Sequence, residues 1–344
     1  MRAAVWHGRR DVRLEDVAEP DSPQGEDVLL EVCWTGICGT DLHEYLGGPI
    51  FIPPTLQRVV LGHEFSARVV DVGRDVTGVG VGDRVAVIPH RVCRACHFCR
   101  RGMYQHCRQL EVVGITRDGA FARYTIARQD QLVRLPSSVP DEVGALVEPL
   151  AVTLRAMQLP KARLGDTIAI IGAGPIGLCG VATARAAGLG DIFVVEKMPG
   201  RAQLAQKLGA TQIIDPGQSD PVEAILELTE GRGVDVSLEC VGLVATMNQA
   251  IEMARPDGLA VLLGIAEDGG DLELGRAVAG EKEIHGCIGY FEGEWQAVVD
   301  LLETGRLDPA PMITHRIEVD EIIEGGFRTL VEEKDRSAKV LVHP

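Results

Sequence analysis

Aromatic side chains are scarce in this chain of 344 residues: three Trp, four Tyr and seven Phe. Beside 40 glycines, that scarcity favours an α/β protein with many tight turns. Basic charge is short as well. Thirty-four Lys and Arg against 50 Asp and Glu leave a formal charge of −16, which disfavours nucleic acid and anionic membrane as partners. No apolar run approaches the ~20 residues of a membrane span, because Gly or a charge interrupts each stretch. The opening Met-Arg-Ala-Ala-Val-Trp-His lacks the apolar core of a secretion signal. Nine cysteines, an odd number, are clustered rather than spread in pairs as in a secreted disulfide framework. A cytoplasmic enzyme is expected.

What is present divides into two rhythms. Residues 1–150 carry short β-branched runs separated by Gly, Pro and Asp, at Val28–Val32, Val59–Leu61, Ala67–Val72, Arg84–Ile88 and Ala120–Ile126. That spacing predicts an antiparallel, barrel-like domain. From Asp166 apolar strands (Thr167–Ile171, Ile192–Val195, Val234–Glu239, Leu259–Leu263, Ile284–Ile288) alternate with helical segments (Ile176–Ala187, Gly200–Leu208, Val222–Leu228, Val244–Ala254). This α/β pattern predicts a doubly wound parallel sheet over 151–290. The segment 291–344, with a helix at Trp295–Glu303 and a strand at Ala338–His343, is expected to return to the first domain.

Cys93, Cys96, Cys99 and Cys107 form a C-x2-C-x2-C-x7-C run inside the loop 91–108. Four thiolates close a tetrahedron around Zn²⁺ and leave no open position, the pattern of a structural metal. Arg91, Arg94, Arg100, Arg101 and Arg108 could offset the net negative charge of such a cluster. An iron–sulfur cluster is the rival, although its bacterial motif places the fourth cysteine after three residues and before proline. A disulfide-bearing or unmetallated loop is the other alternative.

Gly172-Ala-Gly174-Pro175-Ile176-Gly177 follows an expected strand and opens an expected helix, the context a dinucleotide fingerprint requires. Gly172 makes the turn, Gly174 admits a pyrophosphate, and Gly177 lets helix and strand pack closely. Phosphates would meet the positive end of the helix beginning near Pro175. Glu196, at the end of the second strand, could accept from the adenosine ribose hydroxyls and would repel a 2′-phosphate, which favours NAD over NADP. Lys197 and Arg201 lie close enough to soften that preference. A glycine-rich turn with no ligand is the bland alternative.

Three further segments hold ligand-type residues: Cys38 to His43, Gly62-His63-Glu64, and Glu148-Pro149. A thiolate, an imidazole and a carboxylate balance Zn²⁺ and leave a fourth position for a substrate oxygen, as catalytic sites do. Each segment alone is ambiguous, because a lone Cys38 is more often core and Gly-His-Glu more often a loop. Their company with the fingerprint and the four-cysteine loop carries the reading. Cys33, Cys179 and Cys240 have no ligand-like spacing and read as small buried hydrophobes.

With these motifs, over essentially its whole length, the chain resembles the zinc-dependent medium-chain dehydrogenases. The resemblance implies a GroES-like, mainly β catalytic domain with two zincs per subunit and a Rossmann domain that binds NAD. It implies that Cys38, His63 and Glu148 bind the catalytic zinc and that Glu64 beside them can enter its shell. Glu148 before proline looks like the polyol and threonine dehydrogenase branches. Asp41-Leu-His43-Glu-Tyr-Leu-Gly-Gly-Pro-Ile-Phe-Ile-Pro53 looks most like the 2,3-butanediol dehydrogenases.

By the same similarity Thr40 hydrogen-bonds the reacting oxygen and passes its proton to His43, while Asp41 orients His63. Read without it, His43 is an exposed loop histidine and Asp41 a surface carboxylate. Val152, Leu263-Gly264-Ile265 and Cys287-Ile288 match positions around the nicotinamide, or are strand-end core. The implied reaction is hydride transfer between NAD and a diol or hydroxy ketone, in a homodimer or homotetramer, with polyols and threonine as alternative substrates. A nucleotide-binding protein without catalysis is a different-class alternative, opposed by the complete reactive set. A zinc-free quinone reductase is opposed by both metal constellations.

Overall fold

The computed structural model describes residues 1–159, 162–266 and 269–344. They divide into two compact units: Met1–Glu148 with Tyr290–Glu303 and Ile313–Pro344, and Pro149–Gly289 with Thr304–Met312.

The first unit is mainly β. Its larger sheet runs in the order Leu132–Arg134, Arg84–Val87, Glu64–Val72, Asp27–Gly36, Lys339–His343, Ile313–Glu318, and Tyr124–Arg128 also pairs with Asp27–Gly36. Its ladders are antiparallel except for the last pair. Alternation builds the central strand: Val28, Leu30 and Val32 turn into one core with Phe65, Ala67, Val69, Val85 and Val87. A three-stranded sheet of Asp11–Asp16, Arg2–Gly8 and Val59–Val60 packs a second core around Trp6, Ile37, Ile52, Leu61 and Phe121.

The expected strand at Ala120–Ile126 starts later, at Tyr124. Ala120 and Phe121 donate instead to the carbonyls of Gly62 and Leu61, both at 2.9 Å. Their backbone is committed to holding the Leu61–His63 turn rather than to the ladder.

The second unit is a six-stranded parallel sheet ordered Gln212–Ile214, Ile192–Val195, Ile168–Ile171, Val234–Glu239, Ala254–Leu262, Glu283–Gly286. Helices Pro175–Ala187, Pro199–Leu208, Pro221–Leu228 and Val244–Met253 connect its strands, three of them opening with proline, whose fixed φ and missing N–H suit a first turn. The order reverses between Ile168–Ile171 and Val234–Glu239, the switch point where doubly wound sheets leave a crevice for ligand.

Candidate metal and nucleotide sites

One strand register assembles the first site. Gly36 lies opposite Glu64 in the antiparallel ladder, so Cys38, two residues beyond one strand end, meets His63, one residue before the other. A Cβ on Gly36 would come 2.4 Å from the Glu64 carboxylate, and only glycine leaves that space. Cys38 then caps the helix Gly39–Leu46. Its Sγ accepts from the Thr40 amide at 3.4 Å, and its own amide donates to Asp41 Oδ2 at 2.9 Å.

Donor atoms of Cys38, His63 and Glu64 all lie within 4.8 Å of one another. The carboxylate that joins the Cys–His pair here is thus Glu64, whereas the family resemblance pointed to Glu148. Glu148, in the first turn of the helix Val147–Gln158, stays outside the trio but within its field. Burial, then the Glu64 charge, push its carboxyl up to about 7, against the pull of His63, Lys339 and Tyr290. Lys339 explains where Glu64 is anchored, since its ammonium donates to Glu64 Oε2 at 2.5 Å and to the Ile37 carbonyl at 3.2 Å.

Asp41 is buried, which removes the surface reading. Its Oδ1 faces His63 Nδ1 at 3.6 Å, too long for a hydrogen bond, and among the described residues neither atom has a hydrogen-bond partner. The expected orienting bond is therefore an electrostatic contact. With Nδ1 turned to Asp41, Nε2 is the nitrogen left for a metal. Burial disfavours the imidazolium of His63, but Asp41, Cys38 and Glu148 outweigh it and raise its pKa well above the ordinary value. Burial and Glu64 raise the Cys38 thiol. So electron-rich a pocket draws a proton onto His63 where a cation would sit, and its thiol, imidazole and carboxylates are the donor set zinc takes.

Thr40 and His43 are half-buried and stand three residues apart on the same helix, hence on one face. Sequence reasoning missed two neighbours. His90 stacks on Tyr290 with ring centroids 4.9 Å apart, and burial, then His63, lower its pKa to about 4. The Tyr290 hydroxyl is buried beside Glu148, and burial and the Glu148 charge hold it protonated. Lys339 was missed too, although a lysine opening the apolar run Val340–Val342 was a signal.

The four-cysteine loop is closed. All four Sγ atoms lie within 4.8 Å, and Cys93 and Cys99 are 3.9 Å apart, near the ~3.8 Å edge of a tetrahedron with 2.3 Å Zn–S bonds. Backbone amides serve the sulfurs: Cys93 and Gln109 donate to Cys107 at 3.3 and 3.4 Å, Cys96 to Cys93 at 3.3 Å. Amides of Cys99 and Arg108 draw the Cys96 thiol down to about 6. Of the arginines expected to offset the cluster, Arg91 and Arg94 pair with the carboxylates of Asp27 and Asp130.

In the parallel sheet the fingerprint folds as its glycines require. Gly172 has φ +90°, and a Cβ on Gly177 would sit 1.8 Å from the Gly172 carbonyl. Gly174 caps the helix, and the Pro175 and Ile176 that follow form its first turn. A Cβ on Gly174 would meet only the Arg201 guanidinium, at 3.9 Å, so the loop faces open space beside a cation, as a pyrophosphate needs. Glu196 accepts from the amides of Ala173 and Met198, both at 2.8 Å, which fixes its carboxylate at the loop. Arg155 Nη1 donates to the Ile288 carbonyl at 2.5 Å, tying the turn of helix that follows Val152 to the Cys287-Ile288 segment. The amides of Leu263 and Gly264 bond the Glu239 carbonyl at 2.9 and 3.1 Å, and Ile265 is 45% exposed beside them.

The family models agree with this anatomy. Residues 24–137 match an alcohol dehydrogenase GroES-like domain and residues 175–304 a zinc-binding dehydrogenase. The chain is 40% identical to the (R,R)-butanediol dehydrogenase of Bacillus subtilis (strain 168), over 100% of both proteins. A crystal structure of 2R,3R-butanediol dehydrogenase from Bacillus subtilis superposes with a TM-score of 0.93 at 39% identity, covering 100% of this chain and 99% of that one. A Sinorhizobium meliloti 1021 structure described as a zinc-binding dehydrogenase bound to NADP has a TM-score of 0.90 at 33% identity, over 100% and 99%. The chain belongs to the zinc-binding alcohol dehydrogenase family, oxidoreductases that combine a GroES-like domain with a nicotinamide-dinucleotide-binding sheet.

Proposed function

We propose that the protein interconverts a small vicinal diol and its α-hydroxy ketone, 2,3-butanediol and acetoin, with NAD as hydride acceptor. One observation carries the reading: Cys38, His63 and Glu64 converge at the start of the helix that also bears Thr40 and His43. Zinc, when bound there, supplies a Lewis acid for the substrate oxygen. Cys38 and His63 hold the metal with a carboxylate, Glu64 or Glu148, and Asp41 keeps His63 oriented. The Thr40 hydroxyl, which both donates and accepts, takes the substrate proton. His43, on the same face of that helix, passes it on to solvent. In the second unit the fingerprint glycines, Arg201 and Glu196 bind the dinucleotide, and the Glu196 charge favours NAD. Cys93, Cys96, Cys99 and Cys107 hold a structural zinc.

The diol assignment is supported by the 40% identity to a butanediol dehydrogenase and by the half-buried Phe51, more apolar than a sugar alcohol needs. A cytoplasmic homodimer or homotetramer belongs to the same reading. Leu274 and Val278, 53% and 78% exposed on one short helix, are apolar surface that an assembly would cover. A panel of 2,3-butanediol, sorbitol and threonine with NAD and NADP, scored by kcat/KM, tests it. The highest value is expected for 2,3-butanediol with NAD; a preference for sorbitol or threonine would replace the substrate.

A further inference from the structure

Glu44 is a buried carboxylate, 1% exposed, one residue after His43 on the same helix. Its partners are backbone amides of the following loop. Ile50 donates to both carboxylate oxygens at 3.1 Å, Ile52 to Oε1 at 3.0 Å, and Phe51 to Oε1 as well. The loop can reach the carboxylate because residue 48 is glycine, where a Cβ would sit 2.3 Å from Glu44 Oε2. At the other end of the residue, the Glu44 carbonyl accepts from the Trp6 indole at 3.0 Å, which fixes the helix to the core.

The captured loop has a defined polarity. Ile52 enters the core cluster that contains Ile37 and Leu61, the residues leading into Cys38 and Gly62-His63. That leaves Phe51 half-buried and Ile50 41% exposed, with Ile50 Cδ1 3.4 Å from the Cβ position of Gly47 at the end of the helix. One helix therefore carries the metal-binding cap, both proton-handling groups and, through Glu44, an apolar wall.

We infer that Glu44 is a specificity-determining positioning residue: its carboxylate holds the 50–52 loop, anchored in the core by Ile52, so that Ile50 and Phe51 form the wall that accepts the small apolar end of the substrate. This rests on the diol reading above. A buried acceptor gathering three amides sets the wall at one distance from Thr40 and His43, and a loosened wall loses substrates that touch it while sparing those that do not.

The test compares Glu44→Gln with the wild-type holoenzyme on 2,3-butanediol and on ethylene glycol, which has no methyl end. Methyl contacts in such pockets are worth about tenfold or more, so KM for butanediol should rise about tenfold, with a smaller change in kcat and in the ethylene glycol KM. An equal change for both diols, or a loss only of kcat, would overturn the inference. If Glu44→Gln does not fold, hydrogen exchange of the wild type decides: slow exchange at the Ile50, Phe51 and Ile52 amides is expected, and fast exchange at all three overturns it. Wild-type preference for a polyol would sink the diol reading alone, because the variant-to-wild-type ratio still reports on Glu44.

Discussion

Lys339 and Glu64 form an ion pair of 2.5 Å with side chains 0% and 1% exposed, joining the last strand of the chain to the strand that follows His63. Neither charge reaches water, so each depends on the other, and removing one partner strands the other in the core. Lys339→Met should destabilise the protein by about 3–5 kcal/mol, as expected for breaking a buried pair. Urea unfolding measures it, and a change under about 0.5 kcal/mol, the usual range for surface substitutions, would contradict the pairing.

His90 gives a pH signature. Burial lowers its folded pKa to about 4, whereas the unfolded chain takes up the proton near 6.5. The stability this histidine contributes is present above about pH 6.5 and is lost as pH falls toward 4, by about 3 kcal/mol in all. Replacing His90 with Phe keeps a ring against Tyr290 and removes the titration. Unfolding midpoints at pH 7 and pH 5 should differ more in the wild type than in His90→Phe; equal differences would show that this ring is not held neutral.

Both Glu196 oxygens bind loop amides and both retain a lone pair, which under the proposed function accepts from the ribose hydroxyls. Glu196→Ala should raise the NAD dissociation constant about tenfold, roughly one hydrogen bond to a charged group. NADP binding should weaken less, because the charge facing a 2′-phosphate is gone. Fluorescence titration of NADH and NADPH checks both, and an unchanged NADH affinity would remove Glu196 from the site.

The legible parts of this chain are those with local causes. Ile192–Val195 stands where its apolar run puts it, because a strand buried on both faces of a parallel sheet leaves an uninterrupted pattern, and Val234–Glu239 stands where Val234, Val236 and Leu238 alternate with polar residues. Gln212–Ile214 escaped, being three residues long with too little periodicity to register. The helix Leu274–Ala279 escaped because Leu274 and Val278 face outward and leave no amphipathic stripe. Cys93 to Cys107 were readable from spacing alone. The placing of Glu64 beside Cys38 and His63 was not, since it turns on the Gly36–Glu64 register and on Lys339, 275 residues from Glu64 in sequence. Glu44 was hidden for a similar reason: a carboxylate that binds only backbone amides leaves no complementary charge in the sequence.

Stepwise chelation tests the central claim, that the Cys38–His63–carboxylate site is catalytic and the four-cysteine site structural. Metal content, NADH fluorescence binding, turnover and melting temperature are followed on the same samples. Loss of the first zinc per chain, from the site with an open position, should abolish turnover while NADH binding and melting temperature hold; the second should leave only with loss of folding or assembly. Full turnover after the first zinc has gone would contradict the account.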